Sequence, residues 1–468
     1  MNSANTTTNS SASKYDDNVF ELDLADIQGF VIRGYNTKYA RHFVIEIPEN
    51  STPNAFVAEL VDGKGSVQIN NAETYTTKPD YFFNIGFTYA GLGQLHLPAV
   101  DFHSFSSFEA GAVNRADFVG DTGNSAPQNW EGSLNETSKV HIVATLWAEE
   151  MSVIASQTTE IESLLSKNKL TLLSSFDANA FPDGYIHFGY KDGISQPTIA
   201  AKNAPARPPE GAQDKMPSYM LLLVGDNDDP NDPAPYQVPP NIGRNGSFSA
   251  FRILEQDVEG FENYLQSQKD EIDPELLAAK FCGRWRNGNP LETNPEKPGN
   301  PMSLSEINNF NYNQHSPTNN FDDYQGTRCP IGSHMRRNNP RDAVVSTPVN
   351  FHRVVRRAMP YGPPYDPSKK DNIKRGLIGH FVGTIENSFE FLMRNWVNDS
   401  IFAPDIDFIS KDPLLGANDA EESVMNIPEK PFAAPKNIKG FPRFIQTRGS
   451  AYLFLPGINA LKFIGEQS

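Results

Sequence analysis

The segment HFGYKDGISQP, from His187 to Pro197, places an acidic side chain where it could take part in chemistry. Asp192 lies between Gly189 and Gly193, on a backbone rich in glycine. Asp-Gly is a common turn dipeptide, but glycines also let a bulky group approach the backbone closely. In the second case the carboxylate would face that group and could accept and return a proton. The segment alone leaves both interpretations open.

A histidine occurs in the segment CPIGSHMRRNNPR, from Cys329 to Arg341. His334 stands between small residues and the basic pair Arg336 and Arg337. Small neighbours leave room for a flat cofactor, and arginines suit anionic groups such as carboxylates. The alternative is an exposed loop histidine in a basic patch, because a conventional zinc site needs three or four ligands.

A third segment, NFHRVVRRAMPYG from Asn350 to Gly362, combines a predicted strand with several cations. With a period of two, His352 and Arg356 share one face of the strand, and Arg353 lies on the other. Arginines on both faces of an apolar strand indicate at least one guanidinium out of bulk solvent, which requires an anionic partner. The alternative is that one face is protein surface and its arginines are ordinary.

The elements that must position these residues alternate between strands and helices. ARHFVIEI predicts a strand, and MSVIASQTTEIESLLSK has apolar residues at helical spacing. The order strand, helix, strand returns near the end of the chain, in GLIGHFVGTIENSFEFLMRNWV and FIQTRGSAYLFLP. This repetition predicts two related α+β halves with mainly antiparallel sheets flanked by helices. YMLLLVG, residues 219–225, is predicted as a further buried strand.

Composition narrows the classes of function. The 468 residues carry a formal net charge of −17, which argues against nucleic acid or an anionic membrane as the main partner. No stretch of about 18 apolar residues occurs, so no membrane span is predicted. Two cysteines, Cys282 and Cys329, exclude a disulfide framework and leave one disulfide or two free thiols open.

The first residues are polar. Residues 1–20 are predicted to be a disordered tail, and they contain no apolar core of a secretory signal. A cytoplasmic location is therefore predicted, with secretion as the alternative if a leader was removed.

Three ordered motifs resemble those of the dye-decolorizing peroxidases, a family of haem peroxidases. They are Gly-x-x-Asp-Gly at residues 189–193, CPIGSHMR from Cys329, and RRAMPYG from Arg356. The resemblance extends over nearly the whole chain from about residue 20, with further similarity in DIQGFVIRGY, CGRWRNGNPL and RGSAYLFLP.

The resemblance implies a barrel-like arrangement of two ferredoxin-like halves, over residues 21–215 and 216–468, with haem b bound mainly by the second. The implied activity is reduction of hydrogen peroxide with oxidation of phenolic or dye-like donors, by a monomer or a homodimer. The alternative is a haem-binding protein for carriage, sensing or iron handling, in which peroxidase activity is incidental.

The resemblance also assigns roles to residues. His334 is the implied proximal iron ligand, with His352 as the runner-up, while Asp192 is the distal acid/base and Arg356 the distal arginine. The carboxylate that would accept from the other ring nitrogen of His334 is sought among the acids of Asn398–Asp407. The implied cofactor contacts, including cations for the haem propionates, are Gly193, Ile194, Ser195, His187, Arg336, Arg337 and Arg353. Tyr361, Trp285 and Trp396 are candidate electron relays for donors too large for the pocket.

Overall fold

A computed structural model describes residues 14–15, 19–98, 100–313, 323–343, 345, 347–369, 371–399, 403 and 409–467. The strands are β1 Tyr39–Glu46, β2 Tyr81–Phe87, β3 Ile142–Ala148, β4 Thr171–Asn179, β5 Ile199–Ala200, β6 Met216–Pro217, β7 Ser247–Gln256, β8 Val355–Tyr361, β9 Gly376–Val382, β10 Val424–Ile427, β11 Lys436–Lys439 and β12 Ile445–Leu455. The α-helices are α1 Gly29–Ile32, α2 Pro53–Val61, α3 Tyr89–Gln94, α4 Ser106–Asn114, α5 Met151–Lys167, α6 Val258–Ser267, α7 Pro274–Cys282, α8 His334–Asn338 and α9 Ile458–Glu466. Ile385–Glu390 and Leu392–Val397 are π-helical. Short 3₁₀ turns cover Asp117–Val119, Gly123–Ser125, Pro127–Asn129, Pro182–Gly184, Ser218–Met220 and Val349–His352.

Eight strands form one sheet in the order β4-β1-β3-β2-β12-β7-β9-β8, and every neighbouring pair is antiparallel. The first four strands follow the order fourth, first, third, second. The last four, counted from β7, repeat that order, and a single residue pair, Phe87 with Phe454, joins the two sets. This order is that of a ferredoxin-like unit, so the predicted α+β fold class is confirmed.

The predicted helix over residues 151–167 is α5, with the predicted bounds. Its buried residues, Ile154, Thr158, Ile161 and Leu165, recur every three or four positions and therefore form one face. That face covers the first half of the sheet, where α5 packs against β1, β3 and β4. β3 is buried along its whole length.

A chain of polar side chains crosses the interior between the two halves. His42 of β1 lies 2.9 Å from the hydroxyl of Thr145 on β3, which lies 3.0 Å from His380 on β9. The other ring nitrogen of His380 lies 3.0 Å from the hydroxyl of Ser249 on β7. Burial lowers the pKa of His42 to about 3 and holds that of His380 well below its usual range, so both rings are neutral near pH 7. The inner faces of the two halves are therefore in direct contact, as in a barrel.

Two sequence predictions need correction or qualification. YMLLLVG is buried but is not a strand: Leu221, Leu222 and Val224 bond within local turns, because burial alone does not supply a pairing partner. Most of the predicted tail, residues 1–13 and 16–18, lies outside the described residues. Within it Lys14 pairs with Asp232 at 2.6 Å. Tyr15 is buried and its hydroxyl donates to the carbonyl of Val224 at 2.7 Å, so this part of the predicted tail contacts the folded body.

The structure describes both cysteines and the helices in which a membrane span would have to occur. Cys282 and Cys329 are free thiols, and burial raises their pKa values to about 12 and about 11. Across the described part of the chain, no helix has the length and apolar character needed to span a bilayer.

Candidate active site

His334 is the first residue of α8, and a buried carboxylate fixes its ring. Its Nδ1 lies 2.8 Å from Oδ2 of Asp412, whose side chain is wholly buried. The other oxygen, Oδ1, accepts hydrogen bonds from the backbone N–H groups of Leu414 and Leu415 at 2.9 and 3.0 Å. Asn338 holds the pair together by donating to the carbonyl of His334 and to Asp412.

This arrangement defines the chemistry of the imidazole. When Nδ1–H donates to Asp412, the lone pair of Nε2 is left free to bind a metal. Burial would raise the pKa of Asp412, but the charge and hydrogen bond of His334 outweigh it and the net shift is downward. Burial likewise would lower the pKa of His334, and Asp412 reverses the shift. About a third of the ring, 32%, is accessible.

Asp192 and Arg356 form the second part of the site. Nη1 of Arg356 donates to Oδ1 of Asp192 at 3.2 Å, and its Nη2 donates to the carbonyl of Ser195 at 2.9 Å. Both side chains stay partly accessible, at 39% for Asp192 and 36% for Arg356. Because both side chains are accessible, the pair can meet a small molecule.

The environment keeps Asp192 ionised. Burial raises its pKa, but the charge of Arg356, the N–H of Gly193 and the charge of His334 together outweigh burial, and the net pKa is lowered. Asp192 in turn raises the pKa of His334, whereas Arg356 lowers it. The imidazole and the acid–guanidinium pair therefore act on each other electrostatically although 142 residues separate His334 from Asp192 in sequence.

The backbone beside Asp192 is open. Gly193 has φ of +76°, and a Cβ at this position would meet no atom within 4 Å. Gly189 also has a positive φ, but a Cβ there would come within 2.6 Å of Arg286. Gly193 is thus consistent with both interpretations of the Asp-Gly segment. Its positive φ forms the turn, and its backbone faces open space that a bulky group could enter. With a free Nε2 and an accessible acid, these residues fit a flat, iron-containing macrocycle.

The arginines predicted to contact the haem propionates bond to protein oxygens in the structure. Arg336 pairs with Asp323 at 2.9 Å, and Arg337 donates to four backbone carbonyls, among them those of Trp396 and Ser410. Arg353 pairs with Glu210 at 3.4 Å. All three arginines are buried. Their guanidinium groups are committed to protein oxygens, which the neighbouring sequence does not reveal.

His187 also bonds to a protein oxygen through one ring nitrogen, while its Nδ1 is buried without a partner among the described residues. Its Nε2 bonds to the backbone carbonyl of Tyr361 at 2.8 Å, and burial lowers its pKa to about 4, so the ring is neutral near pH 7. Of the other predicted contacts, Ser195 uses its carbonyl to hold Arg356, and Ile194 extends toward Gly288.

His352, the runner-up ligand, lies in a different setting from the predicted one. It ends the 3₁₀ turn before β8 instead of sharing a strand face with Arg356. Its ring is buried, stacks on Phe391 with centroids 3.5 Å apart, and bonds to the carbonyl of Asn387. The structure therefore favours His334 as the ring with a free nitrogen.

The candidate relays differ in exposure. Trp285 and Trp396 are buried, whereas Tyr361 is partly accessible at the end of β8. Five positions separate Tyr361 from Arg356, so the two side chains leave opposite faces of the strand. Burial, together with Glu255 and Glu131, raises the pKa of Tyr361.

Two residues of the site were not found from the sequence. Asp412 lies beyond the segment Asn398–Asp407 that was searched, of which Asp405 and Asp407 fall outside the described residues. The only signal is its position before Pro413, Leu414 and Leu415, because it accepts hydrogen bonds from the N–H groups of the two leucines. Gln196 bonds to both backbone groups of Arg356, and its place directly after the Asp-Gly motif is the one available hint.

Comparison with known proteins gives consistent matches. A family model described as the DyP dimeric alpha+beta barrel domain matches residues 26–182. Dye-decolorizing peroxidase msp1 of Mycetinis scorodonius is 28% identical over 95% of this chain and 88% of its own. A solved dye-decolorizing peroxidase in complex with 2,6-dimethoxyphenol is 25% identical, with a TM-score of 0.77 over 95% of this chain and 100% of that chain. A further solved structure is that of a dye-decolorizing peroxidase whose heme pocket was engineered for asymmetric sulfoxidation. It is 25% identical, with a TM-score of 0.78 over 95% of this chain and 99% of that chain.

Proposed function

Because this chain belongs to the dye-decolorizing peroxidase family, we propose that it binds haem b through His334 and reduces hydrogen peroxide with the help of Asp192 and Arg356. The chain is a peroxidase. Beyond this class of enzyme, we propose haem b as the cofactor, the three residues just named as the ones that act, and phenolic or dye-like compounds as the donors.

The observation that carries the proposal is one arrangement of side chains. The imidazole of His334 is held by Asp412 and keeps one nitrogen free. The accessible pair of Asp192 and Arg356 acts on it electrostatically. The backbone of Gly193 next to Asp192 faces open space. When bound, haem supplies an iron that coordinates peroxide and takes up the oxidising equivalents. His334 would hold that iron through its Nε2, and Asp412 fixes the ring tautomer by accepting from Nδ1.

Asp192 and Arg356 act on the peroxide. Asp192, as the carboxylate, accepts a proton from one oxygen of hydrogen peroxide and returns it to the other, which then leaves as water. Arg356 keeps that carboxylate ionised and stabilises negative charge on the leaving oxygen. Donors that fit near the site are oxidised there, and for larger donors Tyr361 is the proposed surface relay, since it is the one candidate of the three with an accessible ring.

The direct test is an absorption spectrum of the purified chain after addition of haem, followed by an assay of peroxide-dependent oxidation of 2,6-dimethoxyphenol. We expect a Soret band and turnover that requires peroxide. A protein that stays colourless with haem contradicts the proposal, and a Soret band without turnover favours haem carriage or sensing instead.

The pH dependence tests Asp192 and Arg356 together. Because its pKa is lowered below the ordinary 3.8, Asp192 stays ionised as the pH falls and loses its base form only below that value. Activity is therefore expected to persist at acidic pH. Arg356→Leu removes the guanidinium, so the acidic limb of kcat/KM for peroxide should move to higher pH, with a fall of about 100-fold at its maximum. An unmoved acidic limb, or a wild-type maximum above neutral pH, contradicts the role of Asp192.

Asp412→Asn tests the partner of the imidazole. An amide cannot accept the Nδ1–H bond with the same charge, so haem affinity or turnover should fall by about 10- to 100-fold. Haem titration followed at the Soret band measures the affinity. Asp419→Asn is the matched control, because Asp419 is exposed and only accepts from the backbone of Glu421. Equal affinities for the two variants would show that Asp412 does not support the ligand.

A further inference from the structure

The side-chain amide of Gln196 forms a two-point hydrogen bond with the backbone of Arg356. Its Oε1 accepts from the N–H of Arg356 at 3.0 Å, and its Nε2 donates to the carbonyl of the same residue at 3.2 Å. One amide therefore bonds to both backbone groups of one residue, as a neighbouring strand would. The N–H has this amide as its partner, whereas the carbonyl also accepts from Nη1 of Arg357 at 3.0 Å.

The position of β8 explains why such a bond is needed. Within the described residues, β8 ends the sheet order and pairs with β9 alone, so its outer edge has no hydrogen-bonded strand partner there. Pro360 lies within β8, which only an edge strand tolerates. The N–H and C=O groups on such an edge need hydrogen-bond partners other than a strand, and Arg356 lies on that edge. The extended conformation favoured before Pro197 lets Gln196 reach it.

Arg356 is therefore held at three points by one short segment. The segment from Asp192 to Gln196 binds its backbone through Gln196, its Nη2 through the carbonyl of Ser195, and its Nη1 through Asp192. Because the acid and the amide are four residues apart in the same loop, the loop sets the separation between carboxylate and guanidinium.

We propose that Gln196 is a positioning residue that holds Arg356 opposite Asp192 for the reaction with peroxide. The inference rests on the proposed function of that pair. Without the amide, the edge of β8 is released while Asp192 stays on its loop, so the guanidinium is displaced from the carboxylate. A displacement of about 1 Å at a reacting group lowers rates by about 100-fold.

The test is Gln196→Leu, which keeps the bulk of the side chain and removes both hydrogen bonds. In the full-length, haem-loaded protein we expect kcat/KM for peroxide to fall by about 10- to 100-fold, with the KM for 2,6-dimethoxyphenol unchanged. The charged groups that face Asp192 are Arg356 and His334. As Arg356 moves away, the acidic limb of the pH profile should move to higher pH, in the direction of Arg356→Leu. A loss of folded protein alone does not move that limb.

The chain offers a matched control in Gln28. Its amide makes the same two-point bond to the backbone of Ile85 on β2, at 3.0 and 2.9 Å, in the first half of the sheet. Gln28→Leu removes that two-point bond, together with a bond to the carbonyl of Pro456 at 2.9 Å, far from the site in sequence. Activities are compared per folded, haem-loaded molecule, with thermal unfolding of both variants measured alongside.

The outcomes separate the inference from the function on which it rests. A lower kcat/KM and a moved acidic limb in Gln196→Leu but not in Gln28→Leu support the inference. If Arg356→Leu lowers activity while Gln196→Leu does not, or if both glutamine variants lose activity equally with unmoved pH profiles, the inference is overturned and the function stands. If Arg356→Leu itself keeps full activity, the proposed function fails and the inference fails with it.

Discussion

Replacing His334 by alanine is expected to abolish specific haem binding. The variant loses Nε2 of His334, the ring nitrogen that the bond to Asp412 leaves free for iron, and the buried carboxylate of Asp412 loses the imidazole as its partner. Outer partners of metal ligands contribute about 10- to 100-fold in affinity, so removal of the ligand itself should cost more than 100-fold. The measurement is haem titration of the purified protein, followed by the position and intensity of the Soret band.

His352→Phe is the control for that experiment. A phenyl ring keeps the stack on Phe391, and only the bond to the carbonyl of Asn387 is lost. We expect this variant to bind haem with the wild-type spectrum. The assignment would be reversed if His352→Phe lost the Soret band and His334→Ala retained it.

Asp192→Asn is expected to lower kcat/KM for peroxide by about 100- to 10,000-fold, the usual range for loss of a general base. The amide has nearly the same shape and can still bond to Arg356, but it cannot accept the peroxide proton. Haem binding should be unchanged, because Asp192 does not contact His334. Stopped-flow mixing of the haem-loaded variant with peroxide measures the rate directly.

The control is another Asp-Gly pair nearby. Asp183 precedes Gly184 in the 3₁₀ turn before the motif, and its side chain is exposed. Asparagine tolerates the positive φ of 57° at this position, so Asp183→Asn should keep wild-type kinetics. Wild-type rates in Asp192→Asn would show that another group transfers the proton.

The sequence predicted the fold where local pattern and burial agree. The apolar positions of α5 recur at helical spacing, and its bounds were predicted correctly. YMLLLVG was wrong because an apolar run indicates burial but does not specify a backbone partner. The edge strand β4 has little burial along its length and gives no apolar alternation from which to predict it.

The site was predictable only in part. The resemblance placed Asp192, Arg356 and His334 in three separate motifs, and the structure brings their charges within reach of one another. Asp412 was missed because the chain returns to His334 only through the tertiary fold. The basic residues Arg336 and Arg337 were assigned to anions of a ligand because sequence shows charge, whereas their protein partners are distant carboxylates and carbonyls.

The loop that carries Asp192 follows β4 of the first half, yet it holds β8 of the second. Recombination between this chain and a relative must therefore inherit residues 189–197 and β8 from one parent. A crossover between them would take the loop with Asp192 from one parent and the strand with Arg356 from the other. The hydrogen bonds between that loop and that strand would then not be matched. Such a hybrid can be well folded and still inactive, which makes these two segments the natural unit of exchange in directed evolution.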